Sequence, residues 1–143
     1  MKPLQELYRY AEQENIAVDR FPLQSRQALS LMDERGNCYV AIDPARLCGE
    51  ADERAKLAHE LGHCATGAFY NRYSDFDCRQ RHENKADKWA IQTLVPVEAL
   101  DAAIASGCTE LWELAERFDV TEDFIRKAVC YYVHGNVAAE LYF

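Results

Sequence analysis

The sequence predicts an α+β chain, mostly helical, with a small β-sheet or hairpin near the N-terminus. Three observations lead there. Apolar residues recur at helical spacing over most of the chain. Two short strand-like runs lie close together before residue 43. An H-E-x-x-H pattern, His59-Glu60-Leu61-Gly62-His63, sits inside an apolar, helix-forming stretch. At 143 residues the chain is expected to form one domain over residues 1–143, long enough to bury a sizeable core.

The elements follow in order. Leu4 to Glu14 reads as an amphipathic helix, with Leu4, Leu7, Tyr8 and Ala11 on one stripe, and Phe21-Pro22 stops any continuation. Ala28 to Met32 and Cys38 to Ile42 read as strands joined by the turn-rich link Asp33-Glu34-Arg35-Gly36-Asn37. Asp43-Pro44 ends the second strand. Ala51 to about Gly67 is a helix that carries His59 and His63, and Phe69 to Arg81 reads as a polar and aromatic loop. Glu83 to Leu94 is a second helix, stopped by Pro96, and Val97 to Ala105 is a short one ending at Gly107.

Residues 109–132 read as two helices around a turn before Val120, with Thr121 as cap, which resembles a helix-turn-helix. Asp119 stands where the turn glycine is usual. The second helix opens Thr121-Glu122-Asp123, and carboxylates there oppose phosphate and base contact. The segment is therefore expected to close the core with Leu114, Phe118, Val120 and Ile125 rather than to read DNA.

Composition points the same way. The formal charge of −8 disfavours nucleic-acid binding and favours a basic partner, or a basic segment of one. No apolar run approaches the ~18 residues of a membrane span, and the N-terminal residues carry no signal-peptide core. Six cysteines show no framework and no C-x-x-C pair, which predicts free thiols in a reducing cytoplasm. Cys64, beside His63, is expected to be a small buried helix residue, though oxidation or damage could turn it towards a metal.

The chemistry concentrates at His59-Glu60-Leu61-Gly62-His63. On a helix, positions i and i+4 share a face, so both imidazoles can grip one ion, and Glu60 stands close enough to take a proton from a water there. Five-letter patterns recur by chance, so the third ligand matters. Glu83 lies 20 residues after His63, enough for a loop and return, and would complete two His and one carboxylate. Asp87 shares the face of Glu83 and is placed to accept the free ring N–H of His59 or His63, fixing the metal-binding tautomer. His82 is the rival ligand, but its side chain points about 100° away from that of Glu83. The metzincin pattern fails, because Thr66 and Phe69 stand where its glycine and third His belong. His134 reads as a surface residue.

The blocks Ala58-His59-Glu60-Leu61-Gly62-His63-Cys64, Glu83-Asn84-Lys85-Ala86-Asp87-Lys88-Trp89-Ala90 and Leu94-Val95-Pro96 together resemble the ImmA/IrrE metallopeptidases, over roughly residues 25 to 132. The resemblance implies a zincin-like domain with a thermolysin-like active site. It implies zinc on His59, His63 and Glu83, with Glu60 as catalytic base. Members are small bacterial and phage proteins. They often sit beside a helix-turn-helix repressor of a mobile element and relieve repression by cleaving it; others act in stress responses.

The expected activity is zinc-dependent peptide hydrolysis, with an oxyanion donor from Tyr70, Arg72, Tyr73 or His82. The run Asn37 to Ile42, were it a sheet edge, could pair with an extended substrate. The competing expectation is a regulatory protein that docks a repressor or toxin without cleaving it. The intact Glu60 speaks against that, since docking needs no base. A DNA-binding regulator is the third class, weakened by the acidic charge.

Overall fold

A computed structural model describes residues 3–71 and 73–135. The chain runs α1 (Pro3–Gln13), β1 (Ala17–Arg20), β2 (Ala28–Met32), β3 (Cys38–Ile42), a single 3-10 turn (Pro44–Arg46), α2 (Glu50–Thr66), α3 (Phe76–Leu94), α4 (Val97–Ala105), α5 (Leu111–Phe118) and α6 (Glu122–His134). This is the mostly helical α+β architecture that the periodicity predicts. Among the described residues no helix is long and apolar enough to cross a membrane.

The sheet order is β1-β3-β2. β2 and β3 are antiparallel, with Ser30 opposite Val40. Their turn is held by Asp33, whose carboxylate accepts from the Asn37 and Arg35 backbone N–H groups at 2.9 Å each. β1 is not visible in the apolar pattern, because Ala17-Val18-Asp19-Arg20 is short and mostly exposed. It pairs parallel with β3, from Ala17 opposite Tyr39 to Arg20 opposite Ile42. β3 is thereby central rather than an edge, and Val40, Ala41 and Ile42 are buried. β1 and β2 are the two edge strands, and β2 is the one that packs against α2.

α2 and α3 form the centre of the molecule. Ala58 and Leu61 of α2 and Ala86 and Ala90 of α3 have no solvent exposure. Small residues let the two backbones approach closely. A Cβ placed on Gly62 would meet the Ala86 carbonyl oxygen at 2.5 Å. α3 starts at Phe76, seven residues before the predicted Glu83. Asp75 caps it, accepting from Cys78 N at 2.7 Å, and its first turns are too polar and exposed to carry an apolar stripe.

Arg54 of α2 ties this centre to the C-terminal pair. Its guanidinium donates to the Phe118 and Asp119 carbonyls. Asp119 adopts the left-handed conformation, φ 54°, that glycine would have taken there. Thr121 caps α6 by accepting from Phe124 N. Leu114, Val120 and Ile125 are buried in the main core, with Phe118 packed partly against it. Leu114→Ala is therefore expected to cost about 2–5 kcal/mol, read as a lowered melting temperature. An unchanged melting temperature would mean that α5 does not pack on the core as described.

The free-thiol expectation is corrected. Cys38 of β3 and Cys64 of α2 form a disulfide, with Cα atoms 5.9 Å apart. Cys64 is thus half-buried and bonded rather than a buried free thiol. The pairing arises because α2 packs across β3, which a 26-residue separation in sequence does not reveal. The other four cysteines form no disulfide.

Candidate metal centre

Helix periodicity stacks His59 and His63 on one face of α2, their ring centroids 4.9 Å apart and edge to face. α3 lies alongside and brings Glu83 to the same spot. Glu83 Oε2 is 2.7 Å from His59 Nε2, and its Oε1 is 3.2 Å from His63 Nε2. One ligand atom from each residue lies within 4.8 Å of the others. His63 is buried; His59 and Glu83 are half-buried.

The second nitrogen of each ring is committed elsewhere. His59 Nδ1 lies 2.7 Å from Asp87 Oδ1, so Asp87 serves His59 of the two candidates. His63 Nδ1 meets the Ala68 carbonyl at 2.5 Å. With acceptors on both Nδ1 atoms, each ring carries its proton there when neutral, and both Nε2 lone pairs face Glu83. Two imidazole nitrogens and a carboxylate converging in this way suit a divalent cation such as zinc.

The charges are strongly coupled. Burial opposes a charge on His59, but its hydrogen bonds to Asp87 and Glu83 outweigh that and push the imidazole up to about 10. Burial also opposes a charge on His63, whose contacts with Glu83 and Ala68 raise it nonetheless. Burial alone would raise Glu83; the two imidazoles hold it well below the usual carboxylate range.

Glu60 lines the same cavity, about 510 Å³ in volume, together with His59, His63, Tyr70 and Glu83. Its Oε1 accepts from Ser30 Oγ of β2 at 2.8 Å. Tyr70 donates its hydroxyl to Glu83 Oε1 at 2.8 Å. Tyr73 does not line the cavity and is 80% exposed. His82 stacks on the Tyr70 ring at 6.4 Å and takes no part in the His-His-Glu cluster. Arg72 lies outside the described residues. Three contacts have almost no trace in the motif: the Ala68 carbonyl, Ser30, and Lys127 of α6, which lies 3.9 Å from Asp87. Ser30 has one faint signal, a lone hydroxyl within the apolar run Ala28-Leu29-Ser30-Leu31-Met32.

Two imidazoles and a carboxylate on facing helices, with a further carboxylate lining the same cavity, form a donor set of the type found in divalent-metal hydrolases. Residues 11–129 match the family model described as the IrrE N-terminal-like domain, Peptidase_M78. The chain belongs to that family, and membership supports a metallopeptidase role and hence a protein substrate. No curated protein matches the chain.

Proposed function

We propose that this chain is a zinc-dependent endopeptidase that cleaves one kind of protein, a helix-turn-helix repressor of a mobile element or stress regulon. The observation that carries the reading is the convergence of His59, His63 and Glu83 on a cavity that Glu60 also lines. His59, His63 and Glu83 would hold the ion, and Asp87 would orient His59. When bound, zinc supplies a Lewis acid that polarises the scissile carbonyl and acidifies the attacking water. Glu60 takes the proton of that water and passes it to the leaving amine. Tyr70 is the candidate oxyanion donor nearest the ligands, its hydroxyl now on Glu83. An extended substrate would pair with the open edge of β2 rather than with β3, which has strands on both sides. A cytoplasmic setting follows from a repressor substrate; the cysteines no longer argue for it. The negative charge and the Glu122-Asp123 start of α6 support a protein partner over DNA.

The direct test incubates the zinc-loaded protein with a candidate helix-turn-helix repressor, the product of a neighbouring gene where one encodes such a protein, and looks for fragments. Tight binding without fragments, for wild type as well as Glu60→Gln, would replace cleavage by docking.

His63→Ala is expected to lose most of about one zinc per chain, measured by elemental analysis, and Glu83→Ala to weaken binding. Unchanged zinc in His63→Ala would reject the site. Zinc lost in His82→Ala but not in Glu83→Ala would move the third ligand.

The raised His59 sets a pH dependence. In metal-free protein its contribution to stability is fully present below pH 6.5 and is lost as pH rises towards about 10. Zinc affinity runs the other way, because binding must displace the His59 proton. Titrations between pH 6 and 9 are expected to show affinity rising while chelated protein loses melting temperature. Affinity independent of pH would show that His59 holds no proton against the ion.

A further inference from the structure

We propose that Ser30 is a positioning residue for Glu60, tying the base to an edge strand that lines the cavity. The inference rests on the peptidase reading above. Ser30 Oγ donates to Glu60 Oε1 at 2.8 Å. β2, which carries Ser30, is a terminal strand of the β1-β3-β2 sheet.

A glutamate at a helix surface has several rotamers, and a base that must reach one proton needs few of them. The helix backbone fixes only the Cα and Cβ of Glu60. The Ser30 hydroxyl holds one carboxylate oxygen and leaves Oε2 to take the proton. The bond is charge-assisted and partly buried, so it is stronger than an exposed pair of neutral groups. Ser30 and Glu60 both line the cavity of the metal centre.

The position of the hydroxyl on β2 adds a second consequence. A peptide paired along that edge takes its register from the β2 backbone. The base and the scissile bond are then referred to the same strand, rather than to each other across a helix–sheet gap. When Glu60 has taken the proton, the Ser30 hydroxyl can still donate to the unprotonated oxygen. The bond therefore survives both proton transfers and needs no rearrangement of the strand.

Ser30→Thr and Ser30→Val separate this role from packing, because the two side chains match in shape and differ in the hydroxyl. Both suit a strand. The zinc-loaded full chain is assayed on a peptide that wild type cleaves, recording kcat, KM, zinc content and melting temperature. Ser30→Val is expected to lower kcat about tenfold with KM and zinc content unchanged, and Ser30→Thr to retain the wild-type kcat. In a Glu60→Gln background, the difference between Thr and Val is expected to vanish. Equal kcat for Thr and Val overturns the proposal, as does a loss confined to KM, or a Val effect undiminished in Glu60→Gln. Should Ser30→Val fail to fold, Ser30→Ala takes its place with the same expected loss. Wild-type cleavage in the presence of any of these failures leaves the peptidase reading intact. No cleavage by zinc-loaded wild type of any helix-turn-helix partner removes that reading, and this inference with it.

Discussion

Glu60→Gln is expected to slow cleavage by about 10²–10⁴-fold while zinc content stays near one per chain. The substitution keeps the size of the side chain and its ability to accept from Ser30, and removes the capacity to take a proton. Glu60 is not among the three converging ligand atoms, so metal retention should be indifferent to it. Burial of the neighbouring helix face is unchanged, so the melting temperature should hold as well. The measurement is kcat on a cleaved protein or peptide, with elemental analysis of the same samples. Equal rates for the two proteins would reject Glu60 as base. A rate loss accompanied by zinc loss would show that Glu60 contributes to the ligand set.

Gly62→Ala is expected to damage stability and metal affinity together. Gly62 lies between His59 and His63 on α2, and faces Ala86, which lies between Glu83 and Asp87 on α3. The added methyl carbon would stand 2.5 Å from the Ala86 carbonyl oxygen and 3.0 Å from its Cα. Those are backbone atoms of a helix and cannot swing aside, so the two helices must separate. Overpacking of this kind costs about 1–3 kcal/mol or more. Separation by even a fraction of an ångström draws the two histidines away from Glu83, and His59 away from Asp87. Zinc affinity should therefore fall although no ligand is altered. Ala86→Gly in the Gly62→Ala background would not relieve the clash, since the obstructing atoms are backbone. A Gly62→Ala protein with wild-type melting and wild-type zinc affinity would contradict the close packing of α2 on α3.

The site was more legible than the sheet. His59, Glu60 and His63 announce themselves because helical geometry alone decides that i and i+4 share a face. Glu83 and Asp87 repeat that spacing on a second helix, and the carboxylate–imidazole pairing of Asp87 is ordinary metal-site chemistry. The assignment of Asp87 to His59 rather than His63 was open in the sequence. It depends on the crossing of α2 and α3, and the Ala68 carbonyl serves His63 instead. β1 escaped because four half-polar residues carry no periodicity; a parallel partner on β3 makes them a strand. The start of α3 is not legible in the sequence because its first turns have no buried residue to mark them.

By itself the sequence determined the helical spans with an apolar stripe, the β2–β3 hairpin through its Asp33–Asn37 link, and the residue types that converge on the cavity. These are local properties: each is settled by backbone geometry and turn chemistry within a few residues. Only the tertiary structure decided which strand is central, that Cys38 and Cys64 are joined, how closely Gly62 meets Ala86, and that Ser30 touches Glu60. Each of those depends on two segments meeting in space that are distant in the chain, 26 residues apart for Cys38 and Cys64 and 30 for Ser30 and Glu60. Contact between distant segments is fixed by packing of the whole core, and no local spacing encodes it.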